Sequence, residues 1–172
     1  MEPFPLMTPR LVGKPRGMAD LATMRRLHSD PQVIATLAAD GLPLSEAQTR
    51  ASLSAGDAHW RRYGFGVWMF HTHHDAQFVG YAGLKHTNAG GADEVELLYA
   101  VGSWAWRRGY AVEMARGAID AAFGRLRLIE LVGFTLPHNL ASRRGLGRGG
   151  FRYEREVIHA GVAPVFYRLR AD

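Results

Sequence analysis

The stretch that decides the fold is Glu94–Glu113, EVELLYAVGSWAWRRGYAVE. Apolar and polar residues alternate through 94–101, the period of a half-buried strand. A short turn follows and leads into the first turn of an amphipathic helix. That turn carries Arg107, Arg108, Gly109, Tyr110 and the small Ala111. Backbone amides and two guanidinium groups gathered at a helix start suit a polyphosphate, and Gly109 permits close backbone approach. The same residues also read as a plain strand-to-helix connection with a glycine for its geometry.

Outward from this segment the spacing predicts the remaining elements. The helix over about 108–125 buries Ala111, Met114, Ala115, Ala118, Ile119, Ala122 and Phe123, a stripe of 3.6 period. An aliphatic strand over about 127–136 comes next, then a short helix over 139–148 and a hairpin of 151–158 with 162–170. Upstream, 9–15 reads as an edge strand between Pro9 and Pro15. Met18, Leu21, Met24 and Leu27 recur every third position on a helical face, and Ser29-Asp30-Pro31 opens a second short helix. Ser45 and Gln48 form a capping box for a helix that runs to Tyr63 and stops at Gly64. Two strands, 65–71 and 77–86, are joined by HTHHDA as a hairpin turn. These elements together predict an α/β (α+β) fold with a mixed, mostly antiparallel sheet of about seven strands flanked by helices.

Composition narrows the function classes. The 172 residues, 47% hydrophobic and 22% charged, read as one globular domain over 1–172. No stretch is long and apolar enough for a membrane span and the N-terminus has no leader pattern, so a cytoplasmic protein is expected. With no cysteine, disulfides, thiolate nucleophiles and Cys-based zinc sites are excluded. Of 21 basic residues only Lys14 and Lys85 are lysines. The arginine excess fits an anionic partner or simply a codon bias, and its scatter along the chain argues against a nucleic-acid stripe. His71, His73 and His74 fall in the hairpin turn with only Asp75 nearby, so no metal is assigned.

Two further motifs lie beyond the helix. In LPHNLASRR (136–144), Asn139 and Ser142 stand at a helix start, where Asn139 is either a ligand contact or an ordinary N-cap. Gly145, Gly147 and Gly150 spell G-x-G-x-x-G. No strand ends directly before them, and too little chain follows for a strand-helix-strand unit of about 30 residues, so a dinucleotide site is rejected.

In order and spacing, these segments resemble the GNAT superfamily of acetyl-CoA-dependent N-acetyltransferases, in particular the branch that includes the ribosomal-protein N-terminal acetyltransferases. The resemblance runs through TPRL (8–11), ADL (19–21), SDPQV (29–33), HWRRYGFGVW (59–68) and FVGYAGL (78–84). It continues through VELLYAV (95–101), WRRGYAVEMA (106–115), LPHNLASRR and GFRYE (150–154). It implies a splayed central strand pair, 95–101 against 127–136, with the pantetheine arm of acetyl-CoA along the backbone of Tyr99, Ala100 and Val101. It implies that the pyrophosphate rests on Arg107, Arg108, Gly109, Tyr110 and Ala111, with Asn139 and Ser142 at the far side of the cofactor. Glu113 stands where this branch often has glutamate. Two departures stand out: Trp106 where the superfamily has Gln or Arg, and Leu146 where many relatives carry a tyrosine acid. Ser142, or else Tyr153, would fill that vacancy.

The chemistry so implied is acetyl transfer to a primary amine by direct attack, with acetyl-CoA and the amine as partners, no metal, no nucleic acid and no membrane, in a monomer or homodimer. Glu96 is the candidate base and Glu94 the second, both on one strand face that lines either the cleft or solvent. A backbone amide near Tyr99 is the candidate oxyanion donor. Acceptor choice is expected from 18–40 and from His159–Pro164, with Trp60, Trp68 and His159 as candidates. Two other readings stay open: an acyl-CoA binder without turnover, and a basic nucleic-acid-binding module.

Overall fold

The computed structural model describes residues 2–158 and 163–171. Its strands are β1 (Leu6–Met7), β2 (Leu11–Pro15), β3 (Val67–Thr72), β4 (Phe78–Thr87), β5 (Glu94–Val101), β6 (Glu130–Thr135), β7 (Arg152–Glu156) and β8 (Val165–Arg170). They form one sheet in the order β1-β2-β3-β4-β5-β6-β8-β7. Every neighbouring pair is antiparallel except β5 and β6. The mixed, mostly antiparallel sheet is therefore as expected, with the two-residue β1 added at the edge.

The helices are α1 (Leu21–His28), α2 (Pro31–Leu37), α3 (Glu46–Tyr63), α4 (Tyr110–Asp120) and α5 (Leu140–Arg148). Local chemistry explains their ends. Asp30 accepts from the Gln32 amide ahead of Pro31 at the start of α2. Ser45 and Gln48 close a reciprocal capping box on α3, which ends at Gly64 with φ 73°. Met18 falls outside α1, in a 3₁₀ turn over Met18–Asp20, where it is exposed.

Helix α4 starts two residues later than its periodicity suggests, at Tyr110, and runs into a π turn over Ala121–Arg125. The Leu126 amide reaches the Ala121 carbonyl there, five residues back. The wider turn rotates the stripe, so that Ala121 is buried beside Ala122. At the other end of the chain, α5 spans nine residues despite its glycines.

Alternation along β5 divides the core between the sheet's two faces. Val95, Leu97, Tyr99 and Val101 pack with Met114 and Ala118 of α4. Leu98 and Ala100 pack on the opposite face with Met24, Leu27 and Leu53 of α1 and α3. Glu96 shares the second face. Between β5 and β6 the register holds a single pair, Glu96 with Val132, and beyond it the two strands part. That divergence opens the sheet itself.

Candidate active site

The splay between β5 and β6 forms a cleft of about 800 Å³ whose walls include Tyr99, Val101, Phe134 and Leu136. Because side chains alternate across β5, the cleft reaches both faces of the sheet. Glu96 enters it from the α1–α3 face and Tyr99 from the α4–α5 face. Burial lifts the Glu96 carboxyl to about 7, against a small downward pull from Lys85, its neighbour across the strand pair. A carboxylate poised near neutrality can exchange protons with an amine.

On the other face the Tyr99 hydroxyl donates to the Ser142 carbonyl at 3.3 Å and lies 3.4 Å from Ser142 Oγ. Burial raises the phenol's pKa, and the contact with Ser142 works against that rise. Gly145 makes the arrangement possible, because a Cβ there would stand 2.7 Å from the Tyr99 hydroxyl oxygen. The glycine that suggested a dinucleotide motif is thus a clearance for a phenol. Two hydroxyls stand together on this side, one from a strand and one from a helix.

At the mouth of the cleft lies the 106–111 turn. Arg107 takes φ 62° and Gly109 φ 77°, two left-handed residues that bend the backbone ahead of α4. No side chain caps the helix at Gly109, so its leading amides keep their donors. Arg107, Arg108 and Gly109 are exposed, and Ala111 and Tyr110 line the cleft. Trp106, in place of the superfamily's Gln or Arg, donates its indole N–H to the Val101 carbonyl at 2.8 Å. It ties the turn back to the end of β5.

The turn is clamped from below by the TPRL segment. Glu113 accepts from Thr8 Oγ1 at 2.7 Å, from the Arg10 amide at 2.8 Å and from Arg10 Nε at 2.6 Å. Arg10 also donates to the Arg108 carbonyl at 2.9 Å. Burial would raise the Glu113 pKa, but these donors outweigh it and hold the carboxyl below its usual value. Glu113 is a packing and positioning residue.

Several sequence candidates lie elsewhere. Glu94 is drawn to Arg168 at 2.6 Å, in a cluster where Arg168 also holds Glu130 and Glu154 at 2.7 Å each. It does not line the cleft, so it is not a second base. Trp60 and Trp68 are buried core residues, stacked edge to face with each other, and not acceptor contacts. Tyr153 is exposed on the edge strand β7, against Tyr167, and cannot replace the missing acid. Leu146, at the vacant tyrosine position, is buried in the core. His159 lies outside the described residues.

Asn139 lines the cleft, yet both ends of its amide are engaged. Its Oδ1 accepts from the Ser142 amide at 3.1 Å, and its Nδ2 donates to the Thr36 carbonyl at 3.3 Å. It caps α5 and fastens it to α2. One residue escaped the sequence reading: Tyr81, a buried phenol on the Glu96 face that lines the cleft. Its place in the middle of an apolar strand made it look like core. Among the described residues no cluster of three or more His, Cys, Asp or Glu side chains is arranged for a metal, and no helix is long and apolar enough to cross a membrane.

Comparisons with known proteins agree with this fold. Residues 10–152 match the family model for the acetyltransferase (GNAT) domain. An acetyltransferase structure from Agrobacterium tumefaciens is 26% identical with a TM-score of 0.86, covering 99% of this chain and 96% of that one. The FsC-acetyl coenzyme A-N(2)-transacetylase of Aspergillus fumigatus is 30% identical over 80% of this chain, which spans only 60% of that longer protein. RimL, a ribosomal α-N-protein acetyltransferase solved in complex with coenzyme A, shares the fold at 13% identity and a TM-score of 0.79, covering 98% of this chain and 99% of that one. The chain belongs to the GNAT acetyltransferase family.

Proposed function

We propose that this protein transfers an acetyl group from acetyl-CoA to a primary amine by direct attack. The observation that carries the reading is the split of the cleft across the sheet, with a carboxyl of pKa about 7 on one face and a hydroxyl pair on the other. The 106–111 turn supports a pyrophosphate through uncapped amides at the start of α4 and the guanidinium groups of Arg107 and Arg108. The β5 backbone at Tyr99, Ala100 and Val101, unpaired toward β6 beyond Glu96, supports an extended pantetheine arm. Asn139 contributes indirectly, by setting α5 so that Ser142 faces Tyr99.

Glu96 receives the proton that the incoming ammonium must lose, directly or through one water. The amine nitrogen then bonds to the thioester carbon, and a backbone amide of β5 near Tyr99 receives the oxyanion. When the carbon–sulfur bond breaks, the Tyr99–Ser142 pair supplies a proton to the departing thiolate. In many relatives a helix tyrosine has this task; here the phenol comes from the strand and Gly145 admits it. No covalent enzyme intermediate is needed.

The test is calorimetric titration with acetyl-CoA followed by thiol release over a panel of amines. Micromolar affinity and acceptor-dependent release are expected. No binding at millimolar acetyl-CoA overturns the proposal. Binding without release from any amine favours an acyl-CoA binder instead.

A further inference from the structure

A second cavity, of about 450 Å³, opens on the Glu96 face of the sheet beneath α1, α2 and α3. It shares Leu37, Tyr81 and Leu98 with the cleft, so the two spaces meet at a common wall. Its polar lining is unusual in one respect. Arg16 is only 9% exposed, and its Nε is buried without a hydrogen-bond partner. A buried guanidinium that lacks an acceptor is costly, and chains rarely keep one without a counter-charge.

The surroundings supply that counter-charge only at a distance, with the Tyr81 ring 5.7 Å from the guanidinium carbon. Asp20 and Asp57 lie near enough to act on Arg16 through space, but neither forms an ion pair with it among the described residues. One carboxylate oxygen of Asp20 instead accepts from the Gly17 amide at 2.9 Å. No acidic side chain among the described residues lines the cavity. Its other titratable groups are Lys85, a second cation, the buried Tyr81 phenol, whose pKa burial raises, and His28 and His59. Burial lowers the pKa of both histidines, that of His28 to about 4, so both are neutral at pH 7. Helix α3 also gives way to Arg16 at Gly56, where a Cβ would stand 3.1 Å from Arg16 Nη2.

We propose that this cavity binds the carboxylate of the acceptor, with Arg16 as its partner, so that the acetylated amine belongs to a small molecule of amino-acid type. The proposal rests on the acetyltransferase reading, which supplies the amine end at Glu96. The acceptor spans from Arg16 past Tyr81 to the cleft, its ammonium toward the carboxylate of Glu96 and its anion toward the guanidinium. Polycationic amines meet Arg16 and Lys85 with like charge and are poor acceptors.

The experiment pairs amino acids with their carboxamides as acceptors and reads kcat/KM by thiol release. Wild type is expected to favour the acid over its amide by about ten- to a hundredfold, the range for a hydrogen bond to a charged group. Arg16→Met brings that ratio toward one, Arg16→Lys recovers part of it, and acetyl-CoA affinity is retained as evidence of folding. Equal use of acids and amides by wild type overturns the proposal, and so does an Arg16→Met variant that loses both alike. If Arg16→Met does not fold, the wild-type comparison decides alone.

Failure of the underlying reading looks different. Should no acceptor release thiol, calorimetric titration of the same acids and amides tests the cavity by itself. Binding of acids alone, and only to wild type, sustains the carboxylate site without the transferase; no preference for acids overturns it.

Discussion

At Glu96 a carboxyl is held where solvent is scarce and the counter-charge of Lys85 is weak, and burial sets its pKa near 7. Turnover with a given amine is therefore expected to rise with pH through about 7 as Glu96 ionises, and Glu96→Gln is expected to lower kcat by about 10²- to 10⁴-fold with little change in acetyl-CoA affinity. A variant that keeps the wild-type rate removes Glu96 as base. The same shift has a consequence for stability. The folded chain holds this proton more tightly than the unfolded one, so its contribution falls as pH rises from about 4.5 to about 7. Glu96→Gln should thus gain on the order of 2 kcal/mol at pH 8 and almost nothing at pH 4, in urea melts. Glu96 was legible as a candidate from its spacing to Glu94, but not the difference between them. That difference is made by Arg168, 74 residues away, which draws Glu94 out of contention.

The strand-turn-helix of 94–113 is an element whose local chemistry is complete in the sequence and whose support is not. Alternation gives β5, Gly109 gives the left-handed entry to α4, and the apolar stripe gives the buried face of α4. What holds the turn in place comes from Thr8 and Arg10 at the opposite end of the chain. Replacing Glu113 with alanine is expected to lower stability by about 1–2 kcal/mol, because three donors lose one acceptor. It should also weaken acetyl-CoA binding several-fold by loosening the Arg108 carbonyl from Arg10. Chemical denaturation and calorimetry read the two effects separately, and unchanged cofactor affinity would make the clamp a matter of stability alone. The π turn closing α4 was not legible either. It adds one residue to a helical turn, and no residue between 121 and 125 announces it by composition.

Across the molecule the buried titratable groups set a direction for stability against pH. His28, His59 and His71 all have lowered pKa values, with burial as the main cause in each. Each binds a proton more readily in the unfolded chain than in the folded one, so the stability they support is full above about 6.5 and drains as pH falls, down to about 4 in the case of His28. Glu96 opposes them in this window. A thermal melting series is expected to show Tm falling steadily from pH 7 to pH 4.5, and His28→Asn is expected to flatten that slope; a Tm that holds level across the window contradicts it. The sequence by itself determined the main strands and helices, the capped helix starts, the mixed sheet and the glycine-bearing turn ahead of α4, because each follows from nearest-neighbour periodicity and backbone chemistry. Only the tertiary structure decided which face each strand residue meets. It separated Glu96 from Glu94, paired Tyr99 with Ser142 through the gap at Gly145, and left Arg16 Nε buried without a hydrogen-bond partner. Those outcomes depend on contacts between residues far apart in the chain, and local pattern carries no record of them.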